Sequence, residues 1–366
     1  MLIGVDGREI EGKPTGVGNY VRNILERLSL PEGARLQVYF KQEIPADFSR
    51  IKAEPVLLRS EAHNLKWQQW TLCRELQKRK TDLFFSPAAG CPWYFKGIQV
   101  LTVPDFSFFL YPHWFTTKER LSRQLNLAFS LRQADRIYVI SPFVREELIA
   151  HFSISPQRVT LTPIGVMTKN PDPKLRAVLR ARHAFTGAKI VLYVGSIFNR
   201  RHLPVLLESL KRLSSEALLV VIGENRTHPR QDLAALAEEL SIAQRVRLME
   251  YVSQDLLEEY YRMADLFVYL SDYEGFGIPP LEAMSYGIPV ILSEKPAMDA
   301  IFKGAAYFVK NNEPGEVSRA MQDCLEDGAQ RERMIAAGKE LSLRYSWDET
   351  ARVISEDWER LLAARN

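Results

Sequence analysis

The sequence predicts an α/β protein made of two Rossmann-like domains, each with a parallel sheet. Short apolar runs rich in β-branched residues alternate with longer amphipathic stretches along the whole chain, which is typical of this fold class. The alternation is interrupted at Lys169–Leu175 (KNPDPKL) by two prolines and polar residues, which indicates a linker. A length of 366 residues exceeds that of a typical single domain and allows two separate cores.

Each predicted element follows from this pattern. The first half contains the strands LIGVD, LQVYF, DLFFS, QVLTV, RIYVI and VTLTP. Helical stretches lie between them, near Val17–Leu28, Leu65–Gln77, Thr116–Leu131 and Phe143–His151. The second half repeats the alternation with IVLYVGS, LLVVIGE, VRLME, DLFVYL, PVILS and AYFV. The tail, Trp347–Leu362, is predicted as one amphipathic helix because its apolar residues form a single stripe.

Net charge, cysteine spacing and the length of the apolar runs argue against several classes of protein. A net charge of +3 is too small to imply nucleic-acid binding. The three cysteines stand far apart in the sequence, which predicts neither a disulfide framework nor a zinc site. The first residues, MLIGVDGREI, reach charged side chains too early for a signal peptide, and no apolar run approaches the ~20 residues that span a bilayer. We therefore expect a cytoplasmic protein.

The stretch SDYEGFGIPPLEAMSYGIPV (Ser271–Val290) holds two glutamates, two glycines and two adjacent prolines between Glu274 and Glu282. It follows the predicted strand DLFVYL, and PLEAMSYG is predicted as a short helix with Pro280 near its first position. The loop between them therefore lies at the carboxyl end of a strand, where open α/β sheets bind ligands. Gly275 and Gly277 allow a sharp turn and a close approach of the backbone to a ligand.

The chemistry of this loop suits a phosphorylated sugar. Free amides of the loop and of Leu281–Ala283 would lie at the positive end of a helix dipole and favour an anion. A carboxylate on either side can accept hydrogens from two hydroxyl groups at once. Glu282 alone is better explained as an acid in the first turn of a helix. The combination with Glu274, Gly275, Gly277 and Pro280 favours a nucleotide-sugar site.

The segment YEGFGIPPLEAMSYGIPVILS resembles the signature of family-4 glycosyltransferases, in which two glutamates are separated by seven residues. Similar segments are IGVDGREIEGKPTGVGNYV, ADRIYVISPFVREEL and YVGSIFNRRHLPVLLESL. The resemblance implies a GT-B fold, with two Rossmann-like domains that face each other across a cleft. It also implies that the second domain holds most of the donor, and that the sugar is transferred with retention of anomeric configuration. Neither a metal nor another cofactor is expected, since the nucleotide sugar is a substrate.

The resemblance also implies roles for individual residues. Glu282 would bind the ribose diol, and Glu274 would lie beside the donor sugar. The amides of Phe276 and Gly277 would contact sugar hydroxyls or phosphate. The rest of the donor loop consists of Gly275, Ile278 and Leu281.

The segment GSIFNRRHL (Gly195–Leu203) ends a strand and opens a helix, and its first residue, Gly195, is expected to belong to the donor-binding site. Adjacent Arg200 and Arg201 could neutralise a diphosphate and stabilise its charge as it leaves. In isolation, two such arginines are as well explained as solvated surface residues. Similar proteins carry Arg-Lys here and use it on the donor phosphates, which favours the functional interpretation.

Two segments of the first domain are predicted to serve the acceptor side. TGVGNY reads as a glycine-rich turn, and the resemblance implies that Gly16 and Gly18 lie near the phosphates and the acceptor. Asp105 would orient an acceptor hydroxyl or, alternatively, bond to the backbone. Pro104 stands where similar proteins have histidine, and Asp299-Ala300 stands where Pro-Glu is usual. Both departures leave room for an unusual sugar specificity or reduced activity.

Two further patterns bear on partners. No two aspartates stand two positions apart and the six histidines are scattered, so no metal site is predicted. The stretch Asn64–Lys80 has two tryptophans and a basic end. It is interpreted as an amphipathic core helix with a solvated tail, the alternative being peripheral contact with the inner membrane surface.

The sequence therefore predicts a retaining glycosyltransferase that moves a sugar from a nucleoside-diphosphate donor to a carbohydrate or lipid-linked saccharide acceptor. Mannose, for a cell-surface polysaccharide, is suggested by the resemblance only. The alternatives are a GT-B sugar-nucleotide epimerase and a catalytically degenerate partner subunit that binds nucleotide sugar. We expect domains at residues 1–168 and 169–345, with a helix at 346–366 that packs back on the first domain.

Overall fold

The computed structural model describes residues 1–12, 16–169, 172–213 and 217–365. The chain divides into two compact units. Unit 1 comprises Met1–Gly165 and Ser346–Asn366, and unit 2 comprises Val166–Tyr345. The first boundary falls after Gly165 rather than after residue 168. Asn170 and Pro171, at the centre of the predicted linker, lie outside the described residues.

Unit 1 is built on one parallel sheet of seven strands in the order β3-β2-β1-β4-β5-β6-β7. The strands are β1 (Leu2–Asp6), β2 (Arg35–Phe40), β3 (Glu54–Leu57), β4 (Leu83–Ser86), β5 (Ile98–Val103), β6 (Arg136–Val139) and β7 (Val159–Leu161). The helices before the linker are α1 (Gly16–Leu25), α2 (Asn64–Lys66), α3 (Cys73–Lys78), α4 (Ser107–Leu110), α5 (Thr117–Gln133) and α6 (Pro142–Phe152). A π-helical segment, Trp67–Leu72, joins α2 to α3, so these three form the continuous helix that the sequence predicts.

Strand β3 is the one strand of this sheet that the apolar runs do not reveal. Its sequence, EPVL, contains Pro55, which cannot donate a hydrogen bond to a neighbouring strand. The strand accordingly lies at the edge of the sheet, where it pairs with β2 alone. In contrast, every residue of β1 and β5 is buried, as expected for central strands covered on both faces.

Unit 2 is built on a parallel sheet of six strands in the order β10-β9-β8-β11-β12-β13. The strands are β8 (Lys189–Val194), β9 (Ala217–Ile222), β10 (Val246–Met249), β11 (Leu266–Tyr269), β12 (Val290–Ser293) and β13 (Tyr307–Val309). The helices are α7 (Pro173–Arg182), α8 (Leu203–Arg212), α9 (Leu233–Glu239), α10 (Gln254–Met263), α11 (Ile278–Ser285), α12 (Pro296–Phe302), α13 (Pro314–Glu326) and α14 (Gly328–Leu343).

The last helix, α15 (Trp347–Ala363), returns to unit 1. Trp358 is fully buried and packs its ring edge-on against Phe85 at 5.6 Å between centroids. Asp357, also buried, accepts a hydrogen bond from the hydroxyl of Tyr138 (3.0 Å) and pairs with Arg136 (3.0 Å). The tail helix is therefore part of the core of the first unit.

None of the helices in the described ranges is long and apolar enough to cross a membrane.

Candidate functional site

Unit 2 has a topological switch point between β8 and β11. The chain leaves β8 for β9 and β10 on one side, then crosses back to β11, β12 and β13 on the other. The two central strands are parallel neighbours, so their carboxyl ends meet at the same edge of the sheet. Ligands of open α/β sheets bind at such a point. The loops that follow β8 and β11 carry the predicted arginines and the predicted Glu274.

The loop after β8 begins at Gly195, which the backbone conformation requires. Its φ is +133°, a conformation that L side chains rarely adopt. A Cβ there would also lie 2.9 Å from Nη1 of Arg201. The short 3-10 turn Asn199–Arg201 then places two adjacent guanidinium groups next to the β11 loop. Gly195 thus allows the backbone to pass close to Arg201.

Arg201 and Glu274 form a bidentate ion pair. Nε of Arg201 lies 2.9 Å from Oε1 of Glu274, and Nη2 lies 3.1 Å from Oε2. The two side chains are 10% and 11% exposed, so the pair is largely removed from water. Nη1 of Arg201 donates to the carbonyl of Ser196 (2.6 Å). The sequence predicts these two residues as separate ligands of phosphate and sugar, whereas the structure binds them to each other.

Further donors surround the Glu274 carboxylate. The hydroxyl of Ser271 donates to it at 2.9 Å and that of Tyr269 at 3.2 Å, and Arg200 lies 4.0 Å away. Burial opposes ionisation, but the attraction of Arg201 and Arg200 outweighs it and lowers the pKa of Glu274 below its ordinary value. Glu274 is consequently an anion at neutral pH.

Arg200 makes further contacts besides its approach to Glu274. Its Nε donates to the carbonyl of Tyr273 (3.3 Å), and its guanidinium lies over the ring of Phe198, 4.5 Å from the centroid. The side chain is 16% exposed. The same ring lies 5.6 Å from the guanidinium carbon of Arg201, so Phe198 contacts both cations.

The loop after β11 enters helix α11 through Gly277. Its φ is +98°, and a Cβ would lie 3.0 Å from the ring of Phe302. The helix begins at Ile278, earlier than predicted. Pro279 and Pro280 carry no N–H, and the amide of Leu281 donates to the carbonyl of Gly277 (3.4 Å). The prediction that Leu281 offers a free amide to an anion is therefore wrong, because the helix itself uses that amide.

The side chains around the start of α11 are part of the core. Leu281 is fully buried, and Phe276 packs its ring against Tyr345 at 5.2 Å between centroids. Gly275 is buried and Ile278 is half-buried. Backbone groups of this loop, not its apolar side chains, are the ones that a polar ligand can use.

Glu282 lies on α11, half-buried, with Tyr261 of α10 as its partner. The hydroxyl of Tyr261 donates to Oε2 of Glu282 at 2.8 Å. Burial raises the pKa of Glu282 to about 7, against an ordinary 4.5; the hydrogen bond from Tyr261 opposes this rise and repulsion from Glu258 adds to it. Tyr261 is held by stacking on Tyr286, with ring centroids 5.1 Å apart.

Several residues of this site escape sequence reasoning. Tyr261 and Tyr269 stand in ordinary amphipathic and strand patterns, which give no signal for a polar role. Asp272, on the quoted stretch, binds Nε2 of His202 (2.8 Å) and Nζ of Lys295 (3.4 Å). His202 adopts a positive φ of 48° directly after the two arginines. These contacts join three loops at the carboxyl edge of the sheet.

The predicted residues of unit 1 lie at the carboxyl ends of its own strands. Gly16 is exposed at the first position of α1 and Gly18 is buried one half-turn later. Lys13–Thr15, which include the start of the glycine-rich turn, lie outside the described residues. Oδ1 of Asp105 accepts from the amide (3.0 Å) and the hydroxyl (2.8 Å) of Ser107. This geometry is that of the alternative role, an aspartate bonded to its local backbone.

Within the described ranges, no group of three or more His, Cys, Asp or Glu side chains is arranged to hold a metal ion.

Two family models match the chain. "Glycosyltransferase Family 4" matches residues 14–170, and "Glycosyl transferases group 1" matches residues 176–341. The matches fall on the two halves of the chain and together cover most of it.

Individual relatives agree with these matches. The O-antigen chain mannosyltransferase B of Escherichia coli is 26% identical over 363 residues, 91% of this chain and 93% of that protein. The D-inositol 3-phosphate glycosyltransferase of Geodermatophilus obscurus is 29% identical, over 60% of this chain and about half of its own length (51%).

Solved structures share the fold. Anabaena HepE, solved with UDP and glucose, superposes with a TM-score of 0.80 at 18% identity over 98% of this chain and all of that one (100%). WaaG, a glycosyltransferase of lipopolysaccharide biosynthesis, gives 0.77 at 17% identity over 97% of this chain and 99% of that one. These likenesses place the two parallel-sheet units in the GT-B fold class.

Proposed function

Because the chain belongs to the group 1, family-4 glycosyltransferases, we propose that it transfers mannose from a nucleoside-diphosphate donor to a saccharide hydroxyl, with retention and without a metal. The observation that carries this proposal is the cluster of Arg200, Arg201 and Glu274 at the switch point of unit 2. The two guanidinium groups are adjacent at the carboxyl edge of the sheet, where both can donate hydrogen bonds to the oxygens of a diphosphate.

The donor is assigned to the loops in three parts. Its ribose diol hydrogen-bonds to Glu282, whose carboxylate can accept from both hydroxyl groups. Its diphosphate lies against Arg200 and Arg201, and Glu274 contacts the sugar. Since Glu274 is held by Arg201, Ser271 and Tyr269, its oxygens are fixed before the donor arrives. Such preorganisation reduces the cost of binding and of charge stabilisation.

The proposed reaction breaks the bond between the anomeric carbon and the diphosphate oxygen. The bonding electron pair leaves with the diphosphate, where Arg200 and Arg201 stabilise the developing charge. The acceptor oxygen forms its bond to the anomeric carbon on the same face, and the acceptor proton passes to the departing diphosphate. Glu274 stabilises the positive charge on the sugar and forms no covalent bond.

The relatives support the proposed sugar and acceptor class. The E. coli protein that matches nearly end to end is a mannosyltransferase of the O-antigen chain, which supports mannose and a surface polysaccharide. Pro104, which can neither donate nor accept a proton, stands where similar proteins have histidine. This departure supports, as the second candidate, a subunit that binds the nucleotide sugar without turning it over.

A ligand screen followed by a transfer assay tests the proposal. Thermal unfolding is measured with GDP, UDP, ADP, GDP-mannose and UDP-glucose, because a ligand at 100 times its Kd stabilises by ~2.7 kcal/mol. Stabilisation by GDP-mannose and release of GDP with a saccharide acceptor support mannosyl transfer. If another nucleotide sugar stabilises the chain instead, its sugar replaces mannose in the proposed reaction. Donor binding without transfer across an acceptor panel favours the inactive subunit, and a changed free sugar without acceptor favours an epimerase.

A further inference from the structure

Helix α5 of unit 1 exposes an apolar stripe to solvent. Leu121, Leu125 and Phe129 are 48%, 57% and 41% exposed. They stand four residues apart, so they lie on one side of the helix. Large apolar side chains on a surface are ordinary when they are scattered singly. Three in succession on one helix face form a continuous strip.

The stripe is separate from the side of α5 that packs on the core. Leu127 and Leu131 are buried in the core of unit 1. Leu125 and Leu127 point about 160° away from each other, since each residue turns the helix by about 100°. The helix is therefore apolar on two sides, and only one of them is used by the fold.

Aromatic residues of the loop before β5 continue the stripe. The ring of Trp93 packs on that of Phe129, with centroids 4.8 Å apart. Tyr94, the next residue, is 65% exposed. The amide of Cys91 donates to the hydroxyl of Ser130 at 2.8 Å, which holds this loop against α5.

The same loop is bonded to the helix that contains Trp70. The amide of Trp93 donates to the side chain of Gln69 (2.7 Å), and the side chain of Gln77 donates to the carbonyl of Tyr94 (3.0 Å). Trp70, adjacent to Gln69, is 54% exposed. Leu121, Leu125, Phe129, Trp93, Tyr94 and Trp70 therefore form one surface, which we term the aromatic face.

Cations flank the aromatic face. Lys118 and Arg132 are exposed at the two ends of the stripe, three residues before Leu121 and three residues after Phe129. Arg74 and Lys78 are exposed one and two turns after Trp70. The acids of these two helices are paired with cations: Glu119 with Arg123 (2.8 Å), and Glu75 with both Arg79 (2.5 Å) and Lys78 (4.0 Å). The face is apolar with a positively charged border.

We propose that the aromatic face binds the surface of a bilayer that contains anionic phospholipids. Tryptophan and tyrosine prefer the level of the lipid headgroups, leucine and phenylalanine side chains enter the acyl boundary, and lysine and arginine attract the anionic headgroups. A protein–protein interface of the same area would have a core depleted of charged residues and a rim of mixed polar residues. Here the border has more cations than acids: Lys118, Arg132, Arg74 and Lys78 are exposed, against Glu119 and the partly buried Glu75.

The inference goes beyond the proposed transfer and does not depend on it. It assigns a location for the reaction, the surface that would carry a lipid-linked saccharide. Vesicle binding is measured without donor or acceptor, so its result is independent of whether the chain transfers mannose.

The first test removes the apolar contacts. The full chain is sedimented with vesicles of phosphatidylcholine, with and without phosphatidylglycerol. Leu125→Ser combined with Phe129→Ser should weaken binding to the anionic vesicles by about tenfold or more, since each substitution removes a large apolar side chain from contact with lipid. Val178→Ser is the matched control, because Val178 is 63% exposed but lies on α7 of unit 2. Unfolding temperatures of all variants are compared to exclude misfolding.

The second test removes charge. Lys118→Gln and Arg132→Gln should each weaken binding to anionic vesicles about fivefold, which corresponds to ~1 kcal/mol per cation near an anionic surface. Arg333→Gln, an exposed arginine of α14, is the control. Loss with both variant sets and not with either control supports the proposal.

Three results would overturn the proposal. One is that the wild-type chain does not bind anionic vesicles. Another is that Leu125→Ser with Phe129→Ser binds as the wild type does. The third is concentration-dependent dimerisation, seen by light scattering, that these substitutions abolish while vesicle binding is absent. That result would assign the aromatic face to a second copy of the chain.

Discussion

The hydroxyl of Tyr261 donates to Oε2 of Glu282 across 2.8 Å and thereby joins helix α10 to the helix that follows the donor loop. The bond fixes one oxygen of a carboxylate that is otherwise poorly solvated. It leaves the other oxygen and the remaining lone pair of Oε2 to accept hydrogens from a ligand. The protonation state of Glu282 therefore decides how well this site accepts a diol.

Affinity for the nucleotide sugar should depend on pH near neutrality. Glu282, with a pKa of about 7, loses acceptor capacity as it becomes protonated. We expect affinity to fall as the pH drops below 7 and to reach a plateau above it. Calorimetry with a nucleotide sugar checks this, since its bridged diphosphate does not titrate in that range. Glu282→Gln should bind about tenfold or more weakly, from loss of a charged hydrogen bond, with no pH dependence. A flat wild-type profile would contradict this role.

The free energy of unfolding without ligand should depend on pH in the opposite sense, decreasing as the pH rises. Because the pKa of Glu282 is raised on folding, the folded chain holds this proton more tightly than the unfolded chain does. Its contribution is most favourable below the unfolded value of 4.5 and is lost as the pH rises to about 7. Urea denaturation across this pH range should show a smaller decrease in the free energy of unfolding for Glu282→Gln than for the wild type. Equal decreases would place the titrating group elsewhere.

Removal of the Tyr261 hydroxyl should shift the pH profile of binding. The hydrogen bond from Tyr261 favours the ionised form of Glu282 and so lowers its pKa. Tyr261→Phe should raise that pKa further, move the midpoint of nucleotide-sugar binding to higher pH and weaken binding at pH 7. Tyr260→Phe alters a buried tyrosine of the same helix and should leave the midpoint unchanged. A common shift in both variants would indicate a change in packing instead.

Glu274→Ala should destabilise unit 2, because it leaves Arg201 buried without its partner. Loss of one member of a buried pair typically costs about 3–5 kcal/mol. Glu224→Ala provides the control: Glu224 also pairs with an arginine (Arg226, 2.6 Å), but both side chains are about half exposed, at 57% and 46%. Glu224→Ala should lower the free energy of unfolding by less than about 1 kcal/mol. Similar losses for the two variants in chemical denaturation would refute the burial argument.

Transfer should continue in excess EDTA. Arg200 and Arg201 supply the positive charge that a divalent ion would otherwise provide to the departing diphosphate. The rate of nucleoside diphosphate release is measured with and without EDTA, and then after addition of Mg²⁺ or Mn²⁺. Loss of transfer in EDTA with recovery on addition of metal would contradict the assignment.

The strands were the most predictable part of the molecule. Buried parallel strands are short apolar runs, so LIGVD and DLFVYL reveal β1 and β11 directly. Strand β3 was missed because its proline and its edge position remove the apolar signature. The aromatic face was missed for the opposite reason. Leu121, Leu125 and Phe129 fit a helical period, and the period does not tell which side of the helix meets the core.

The sequence predicted which residues belong to the site but not which of them contact each other. Arg201 and Glu274 were both identified from the sequence, but they stand 73 residues apart. Their ion pair depends on β8 and β11 being neighbours, which follows from the order of strands in the sheet and from no local pattern. The Leu281 amide was misassigned because the helix starts at Ile278, before Pro280, which was taken to mark its beginning.

The return of helix α15 to unit 1 sets an order on folding during synthesis. Residues 1–165 are synthesised before α15, so the side chains of Phe85 and Tyr138 cannot pack on Trp358 and Asp357 until α15 has been made. Unit 2 is continuous from Val166 to Tyr345, so all of it emerges before unit 1 is complete. A nascent chain therefore carries an incomplete unit 1 until α15 has been made. A premature stop before α15 would damage the unit that was made first.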